Sequence, residues 1–288
     1  MKLTVFTPTY NRFDEIKGLY ETIISNVKEM NKDNSVEWLI VDDGSKEDIT
    51  PVIKSFKKIK GLEIILIKKE NGGKHTAFNL GIEKSTGDYF VCIDDDDRLS
   101  ENAVNKIFDS AKKHLDGTKG AVVGRVINTE GKTQGKNVFT DTLISNTIEI
   151  RDKYNFWGEP EVYDNKILKQ YRFDVFGGER FLTEAYLFDE MSIKYPFVYT
   201  NEVYMIKKFL KGGLTDNQLK IRIESPRGTE AYYYKRKNLC KGFFPKLKAT
   251  INRQRFAVYS KDMPKRSIDF YEVIAKPISA LFILKDKK

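Results

Sequence analysis

The sequence predicts an α/β fold: a mostly parallel central sheet flanked by helices, followed by a basic C-terminal region that is mainly helical. Three observations lead there. Four short apolar runs in the first hundred residues alternate with stretches of helical character, the order expected of a parallel sheet. Three of those runs end in polar or acidic residues. The basic excess of the chain is confined to its last quarter.

The first run, Leu3-Thr4-Val5-Phe6-Thr7, is β-rich and is stopped by Pro8. Thr9-Tyr10-Asn11-Arg12 then makes a polar turn into a helix whose apolar positions are Ile16, Leu19, Tyr20, Ile23 and Ile24. Trp38-Leu39-Ile40-Val41 forms the second strand and ends in Asp42-Asp43-Gly44. Ser45, with Asp48 three residues on, predicts a capping-box start for a helix over Ile49 to Phe56. The third strand, Leu62 to Ile67, leads to Asn71-Gly72-Gly73-Lys74-His75, which opens a helix reaching Gly81. The fourth, Tyr89-Phe90-Val91-Cys92-Ile93, follows the turn Gly87-Asp88 and runs into Asp94-Asp95-Asp96-Asp97. This order builds a parallel half-sheet with helices on its faces.

An acidic run is ordinarily a loop solvated by water and nearby lysines. Here it lies where a buried strand leaves the sheet, the edge at which open α/β sheets bind ligands. Carboxylates packed this closely repel unless a cation neutralises them. Oxygen donors without His or Cys at ligand spacing favour Mg²⁺ or Mn²⁺ over zinc. His75 and His114 lack any such neighbour, and His75 reads as a turn or helix-start residue. Lys74, beside two glycines, can reach a nucleotide as a point charge.

In order and spacing, Thr7 to Arg12, Val41 to Ser45, Asn71 to Asp88 and Ile93 to Asp97 resemble the start of the family 2 glycosyltransferases of the GT-A fold. The resemblance is firm to Asp97, looser to Thr215, and absent as a motif beyond. It implies an inverting enzyme that uses a nucleotide-diphosphate sugar with Mn²⁺ or Mg²⁺. It implies nucleotide contacts from Pro8, Thr9, Tyr10, Asn11, Arg12, Asp42, Asp43, Gly73, Lys74, Asp94 and Asp95. Pro8 and the Tyr10 ring then line the base, and Asp43 accepts a pyrimidine imide N–H, so uridine is expected. In the family's Asp-x-Asp-Asp pattern, Asp96 takes the metal position and Asp94 holds the ribose or a metal-bound water, with Asp94 an alternative metal ligand. The Gln-x-x-Arg-Trp motif of processive synthases is missing, which points to one sugar added per encounter.

The middle of the chain is expected to supply the acceptor site, with Trp157-Gly158-Glu159-Pro160 and Phe176 to Phe188 its informative pieces. Family 2 enzymes commonly carry a Glu-Asp or similar acid at a helix start here, acting as catalytic base. Thr183-Glu184-Ala185 keeps one acid, in what reads as the first turn of a helix starting near Leu182. Glu184 is therefore the first choice, with Glu179 and Asp189 as alternatives. A first-turn carboxylate also complements the helix dipole without any chemistry, and that account stays open. Tyr199 to Tyr204 reads as a last strand before Gly212-Gly213. The expected division is a catalytic region over 1–215, with a nucleotide-binding half (1–100) and an acceptor-binding half (101–215), then a basic appendage over 216–288.

With 288 residues there is room for one sizeable domain and a smaller appendage. Two cysteines, Cys92 and Cys240, predict no disulfide framework and a reducing cytoplasm. The N-terminus runs straight into a strand, so no signal peptide is expected. No apolar stretch reaches the roughly 18 residues that a membrane span requires. From Ile221 to Lys288 there are 17 Lys plus Arg against 6 Asp plus Glu, a balance of +11 in a chain of net +9. Tyr232-Tyr233-Tyr234-Lys235-Arg236-Lys237 and Lys241-Gly242-Phe243-Phe244-Pro245-Lys246 set aromatics among these charges. The profile suits an anionic membrane surface engaged through 230–288 at the inner face, near a glycan or lipid-linked acceptor. It equally suits a packed helical appendage with a solvated basic face. No nucleic-acid motif accompanies the charge, so no nucleic-acid partner is expected.

Three rivals are open to the same sequence. A sugar nucleotidyltransferase of related fold would need a glycine-rich phosphate loop after the first strand, where Pro8-Thr9-Tyr10-Asn11 stands. A phosphoryl-transfer enzyme would need a nucleophilic Asp ending the first or third strand, and neither strand ends in one. A catalytically inactive membrane-associated nucleotide-sugar-binding protein would be expected to have lost some of Asp43, Asp94, Asp96 and Glu184, yet all are acids.

Overall fold

The computed structural model describes residues 1–133, 139–154, 156, 158–207 and 217–286. Trp157, Gly212, Gly213 and the expected boundary at 215/216 lie outside the described residues. The chain divides into two compact units. The first comprises Met1–Asn71, Thr76–Arg172 and Met191–Leu210; the second comprises Gly72–His75, Phe173–Glu190 and Lys211–Lys288.

The first unit opens with β1 (Lys2–Thr9), α1 (Phe13–Glu29), β2 (Ser35–Asp42), α2 (Thr50–Lys54), β3 (Leu62–Lys68), α3 (Lys74–Lys84) and β4 (Tyr89–Cys92). It continues with β5 (Arg98–Leu99), α4 (Ala103–His114), β6 (Ala121–Asn128), β7 (Thr142–Ser145) and α5 (Thr147–Glu149), the last running into a π-helical turn. β8 (Glu161–Asp164), α6 (Asn165–Leu168) and, after α7 (Ala185–Lys194), β9 (Phe197–Lys207) complete it. The nine strands among the described residues form one sheet in the order β3-β2-β1-β4-β8-β6-β9-β5, with β7 also paired to β9. β3, β2, β1 and β4 are mutually parallel. Beyond them the pairing is mixed: β8 runs antiparallel to both β4 and β6, while β6 and β9 are parallel.

β1 and β2 are buried along almost their whole length, as central strands covered on both faces must be. Of the positions its spacing predicts, α1 buries Ile16, Leu19 and Ile23 and leaves Tyr20 and Ile24 half-buried, and it buries Val27 in addition. Tyr20 and Phe56 stack at 4.0 Å, and Trp38 stacks on Phe56 at 5.7 Å. The register sets Thr9 level with Asp42, and Asp42 level with Lys68, so the carboxyl ends of these strands share one edge. At the opposite edge the buried Glu37 accepts from the Thr4 hydroxyl (2.8 Å) and the Thr86 N–H (2.9 Å), and pairs with Lys2 at 3.0 Å.

The helix expected over Ile49 to Phe56 is shorter, and Ser45 does not cap it. The Ser45 N–H donates to Asp42 (2.9 Å), and its hydroxyl accepts from the Asn11 N–H (2.8 Å), so the residue belongs to the loops at the sheet edge. Asp48 instead accepts from the Thr50 N–H at 2.8 Å, just before Pro51, a residue suited to a first turn. Neither Cys92 nor Cys240 forms a disulfide.

The second unit contains α8 (Gln218–Glu224), α9 (Pro226–Leu239), α10 (Phe243–Ala257) and α11 (Phe270–Asp286), together with the first residues of α7. α10 packs on both α9 and α11. Buried ion pairs tie these helices together. Glu230 takes Arg253 (3.1 Å) and Arg266 (3.0 Å), while Glu272 takes Lys237 (2.8 Å), Gln254 (2.8 Å) and Arg253. Arg255 pairs with Asp286. Among the described residues, no helix is long and apolar enough to cross a membrane.

Candidate nucleotide and metal site

The site residues of the first unit come together because β1, β2 and β4 are parallel neighbours that end at one edge. Past β4 the chain turns tightly, with the Asp97 N–H donating to the Asp94 carbonyl at 3.1 Å. That turn brings one oxygen from each of Asp94, Asp96 and Asp97 within 4.8 Å of the others. Asp97 is buried, and its Oδ1 has no hydrogen-bond partner among the described residues. Burial pushes the Asp97 carboxyl up to about 7, with Asp94 and Asp96 adding repulsion against the pull of Lys207. Burial likewise pushes Asp95 up to about 6, although Thr9 and Arg12 pull it down and Asp94 and Asp96 push it further up. Three converging carboxylates, one with an unsatisfied buried oxygen, suit a hard divalent cation that accepts oxygen ligands.

The remaining residues of this edge brace one another. Asp95 accepts from the Thr9 hydroxyl (2.8 Å) and from Arg12 (3.1 Å), and Arg12 also reaches Asp96 at 2.8 Å. These contacts tie the β1 loop to the β4 loop. Asn11 ties it to the β2 loop: its side-chain oxygen accepts from the Lys46 N–H at 2.8 Å, and its own φ of 55° is left-handed. Asp42 is buried and shapes its own turn through Ser45. Gly44 has φ 81°, and a Cβ there would lie 2.6 Å from the Asn71 backbone nitrogen, so this turn admits only glycine without rearrangement. Asp43 is buried and paired with Lys69 at 2.5 Å, while Lys69 also donates to Thr76 at 2.8 Å. Pro8 is half-buried, and the Tyr10 ring is exposed to solvent.

Two residues of this edge, Asp97 and Lys69, join the candidate site only in the structure. Asp97 was in view as the last acid of the run, and the turn signal that folds it back over Asp94 lies within the run itself. Lys69 could have been found from register: β2 and β3 end level, so the lysine after β3 lies beside the acid after β2.

Gly73 and Lys74 belong to the second unit, as do the three candidate bases. Lys74 pairs with Glu184 at 2.8 Å, and the Glu184 side chain is 41% exposed. The helix starts at Ala185 rather than near Leu182, so Glu184 stands at its cap position and its carbonyl accepts from Leu187 and Phe188. Glu179 is buried and caps α9, accepting from the backbone N–H groups of Arg227 (2.9 Å) and Gly228 (2.8 Å). Asp189 is 1% exposed and faces Arg236 at 3.4 Å. Of the three carboxylates, Glu184 alone presents to solvent.

The chain is similar to several known proteins. It is 24% identical over 234 residues to glycosyltransferase GlyA of Streptococcus pneumoniae, covering 74% of this chain and 31% of that protein. It is 27% identical over 140 residues to the poly(ribitol-phosphate) beta-N-acetylglucosaminyltransferase TarP of Staphylococcus aureus, covering 48% and 41%. The chain thus spans less than half the length of these curated relatives. In fold it is similar to S. aureus TarS 1-349 in complex with UDP-GlcNAc, with a TM-score of 0.60 at 14% identity over 99% of this chain and 81% of that one. Residues 4–177, which hold the parallel half-sheet and the acidic edge, match the model of glycosyl transferase family 2, and the chain belongs to that family.

Proposed function

We propose that the chain transfers a sugar from a UDP-sugar to a hydroxyl of a glycan or lipid-linked acceptor, with inversion, in cell-surface polysaccharide synthesis on the cytoplasmic side. The observation that carries this reading is the convergence of Asp94, Asp96 and Asp97 at the carboxyl end of β4 in a family 2 chain. TarS with UDP-GlcNAc and the named acceptor of TarP support the donor and acceptor classes by likeness.

Asp96, with Asp94 and Asp97, would hold Mn²⁺ or Mg²⁺. A divalent cation bound there supplies positive charge against the negative charge that grows on the leaving diphosphate. Asp94 also serves the ribose. Pro8 and Tyr10 line the base, and Asp43 accepts the uracil imide N–H while Lys69 holds its carboxylate in place. Thr9, Arg12, Asn11, Asp42 and Asp95 keep the three loops in register, so that these contacts are preorganised. Lys74 offers a point charge and orients Glu184, which takes the proton from the attacking acceptor hydroxyl. One carboxylate suffices for this, unlike the acid pair of a glycoside hydrolase.

Calorimetry with UDP and ADP, each with and without Mn²⁺, tests the donor half. UDP should bind more tightly than ADP, and Mn²⁺ should strengthen it. Asp43→Ala should cost about 1.5–3 kcal/mol of UDP affinity, the range for hydrogen bonds to charged groups. Asp96→Asn should lose the Mn²⁺ dependence together with transfer. Equal affinity for UDP and ADP would overturn the assignment of Asp43, and transfer by Asp96→Asn at the wild-type rate in EDTA would overturn the metal site.

A further inference from the structure

Helix α11 is built inside out. Its inward positions are Glu272, Ala275, Ser279 and Asp286, all buried or with buried side chains. Their polar groups are satisfied by other helices of the same unit: Glu272 by Lys237, Arg253 and Gln254, Ser279 by Gln254 (2.9 Å), and Asp286 by Arg255. Its outward positions are apolar. Phe270 (64% exposed), Val273 (64%), Leu281 (68%) and Leu284 (62%) recur with the exposed Pro277 at intervals of three and four, one stripe of a helix. The lysines of this helix, Lys276 and Lys285, are exposed and lie about a quarter-turn to either side of the stripe. Phe243 and Phe244 at the start of α10 extend the apolar surface, with Phe243 against Phe270 and Tyr271 and Phe244 78% exposed.

An ordinary surface helix has the opposite arrangement, because water favours polar groups and the core favours apolar ones. Contiguous apolar surface of this kind calls for a covering phase. The flanking charge decides which. The acids of α11 are turned inward, so the outward face carries lysine without acid, and two copies meeting on it would bring like charges together. An anionic bilayer answers both features: the stripe and the phenylalanines enter the acyl boundary, while the lysines reach lipid phosphates on either side. We infer that the outward face of α11, with Phe243 and Phe244, is an in-plane docking surface for an anionic lipid membrane. This goes beyond the donor and acceptor reading and does not depend on it.

Sedimentation of the full chain with vesicles tests it. Wild type should pellet with vesicles of phosphatidylcholine containing about a third phosphatidylglycerol, less so with pure phosphatidylcholine, and less so as salt rises. The double variant L281E/L284E should lose roughly tenfold or more of the affinity for anionic vesicles. Its thermal melt and UDP binding should stay as in wild type, since both side chains point outward. Val175→Glu, at an exposed apolar position off the helix, should pellet as wild type does. K276E/K285E should weaken anionic binding and remove most of its salt sensitivity. The inference is overturned if wild type stays in solution with anionic vesicles at low salt, or if L281E/L284E pellets undiminished. It is also overturned, in favour of self-association, if light scattering shows a dimer that L281E/L284E dissolves while vesicles bind neither protein.

Discussion

Glu184 stands at the cap of α7 with Lys74 at 2.8 Å, exposed, whereas Glu179 and Asp189 are spent on α9 and Arg236. As the acceptor base it would lose proton uptake but keep its shape in Glu184→Gln, so transfer should fall about 10²–10⁴-fold with UDP affinity unchanged. Glu179→Gln should show the reverse pattern: near-normal transfer in the folded protein, and a loss of about 0.5–2 kcal/mol of stability from a weakened helix cap. Single-turnover transfer and urea midpoints, measured on these two and on Asp189→Asn, separate the roles. If Glu179→Gln or Asp189→Asn lost transfer while Glu184→Gln kept it, Glu184 would be only a helix cap. At this scale residue identity was legible and partnership was not. The acids of the 94–97 run announce themselves by charge, but nothing in the neighbourhood of Glu179 shows that its partners lie near residue 227.

The helices of the second unit are joined by buried ion pairs as well as by aromatic contact. Glu272 is buried among Lys237, Arg253 and Gln254, and removing it leaves Lys237 with Asp269 alone and Arg253 with Glu230 alone. Glu272→Ala should therefore lower unfolding stability by about 1–3 kcal/mol, read by urea denaturation. A loss below about 1 kcal/mol would mean that the network is solvated and contributes little. β1 to β4 were readable because strands of a covered parallel sheet are short continuous apolar runs, whereas β5 to β8, in the mixed half, were not foreseen. α2 was misread because Ser45 and Asp48 fit a capping box by spacing, while tertiary contact drew Ser45 into the loop of Asn11. The basic tail read either as a membrane-facing surface or as a packed appendage with a solvated basic face, and in both its cations stayed outside, yet Lys237, Arg253, Arg255 and Arg266 are used inside it.

Across the whole molecule, acid should act on both units by the same physics. Glu37 in the first and Glu272 in the second are buried, which alone would raise their pKa values, but hydrogen bonds outweigh burial and hold both below the ordinary carboxylate value. Thr86 and Thr4 do this for Glu37, and Lys237, Gln254 and Arg253 for Glu272. A carboxylate depressed in the folded state contributes stability above its unfolded pKa, near 4.3, and loses it as pH falls through the folded value. Asp95 and Asp97, raised by burial, act the other way and add stability as they take up protons, so urea midpoints should rise from pH 7 to about 5 and then drop below about 4 as the two glutamates protonate. The variant E37Q/E272Q should start lower and fall less steeply; an unchanged slope would locate the acid sensitivity elsewhere. The α/β class and the acidic edge were legible from periodicity and strand-end charge. The division into units was not, because the second is assembled from three separated stretches of chain.

Gly73 carries a consequence for how this chain can be cut. Its φ is 90°, and a Cβ there would stand 1.9 Å from the carbonyl oxygen of Arg180, a residue over a hundred positions downstream. The four residues Gly72–His75 thus take their place from the segment that leads to α7, not from the strand that precedes them. A fragment ending before residue 173 would keep every motif of the first hundred residues and still lose what seats Lys74. The motifs of the first hundred residues are close in sequence, but they are not a transplantable module.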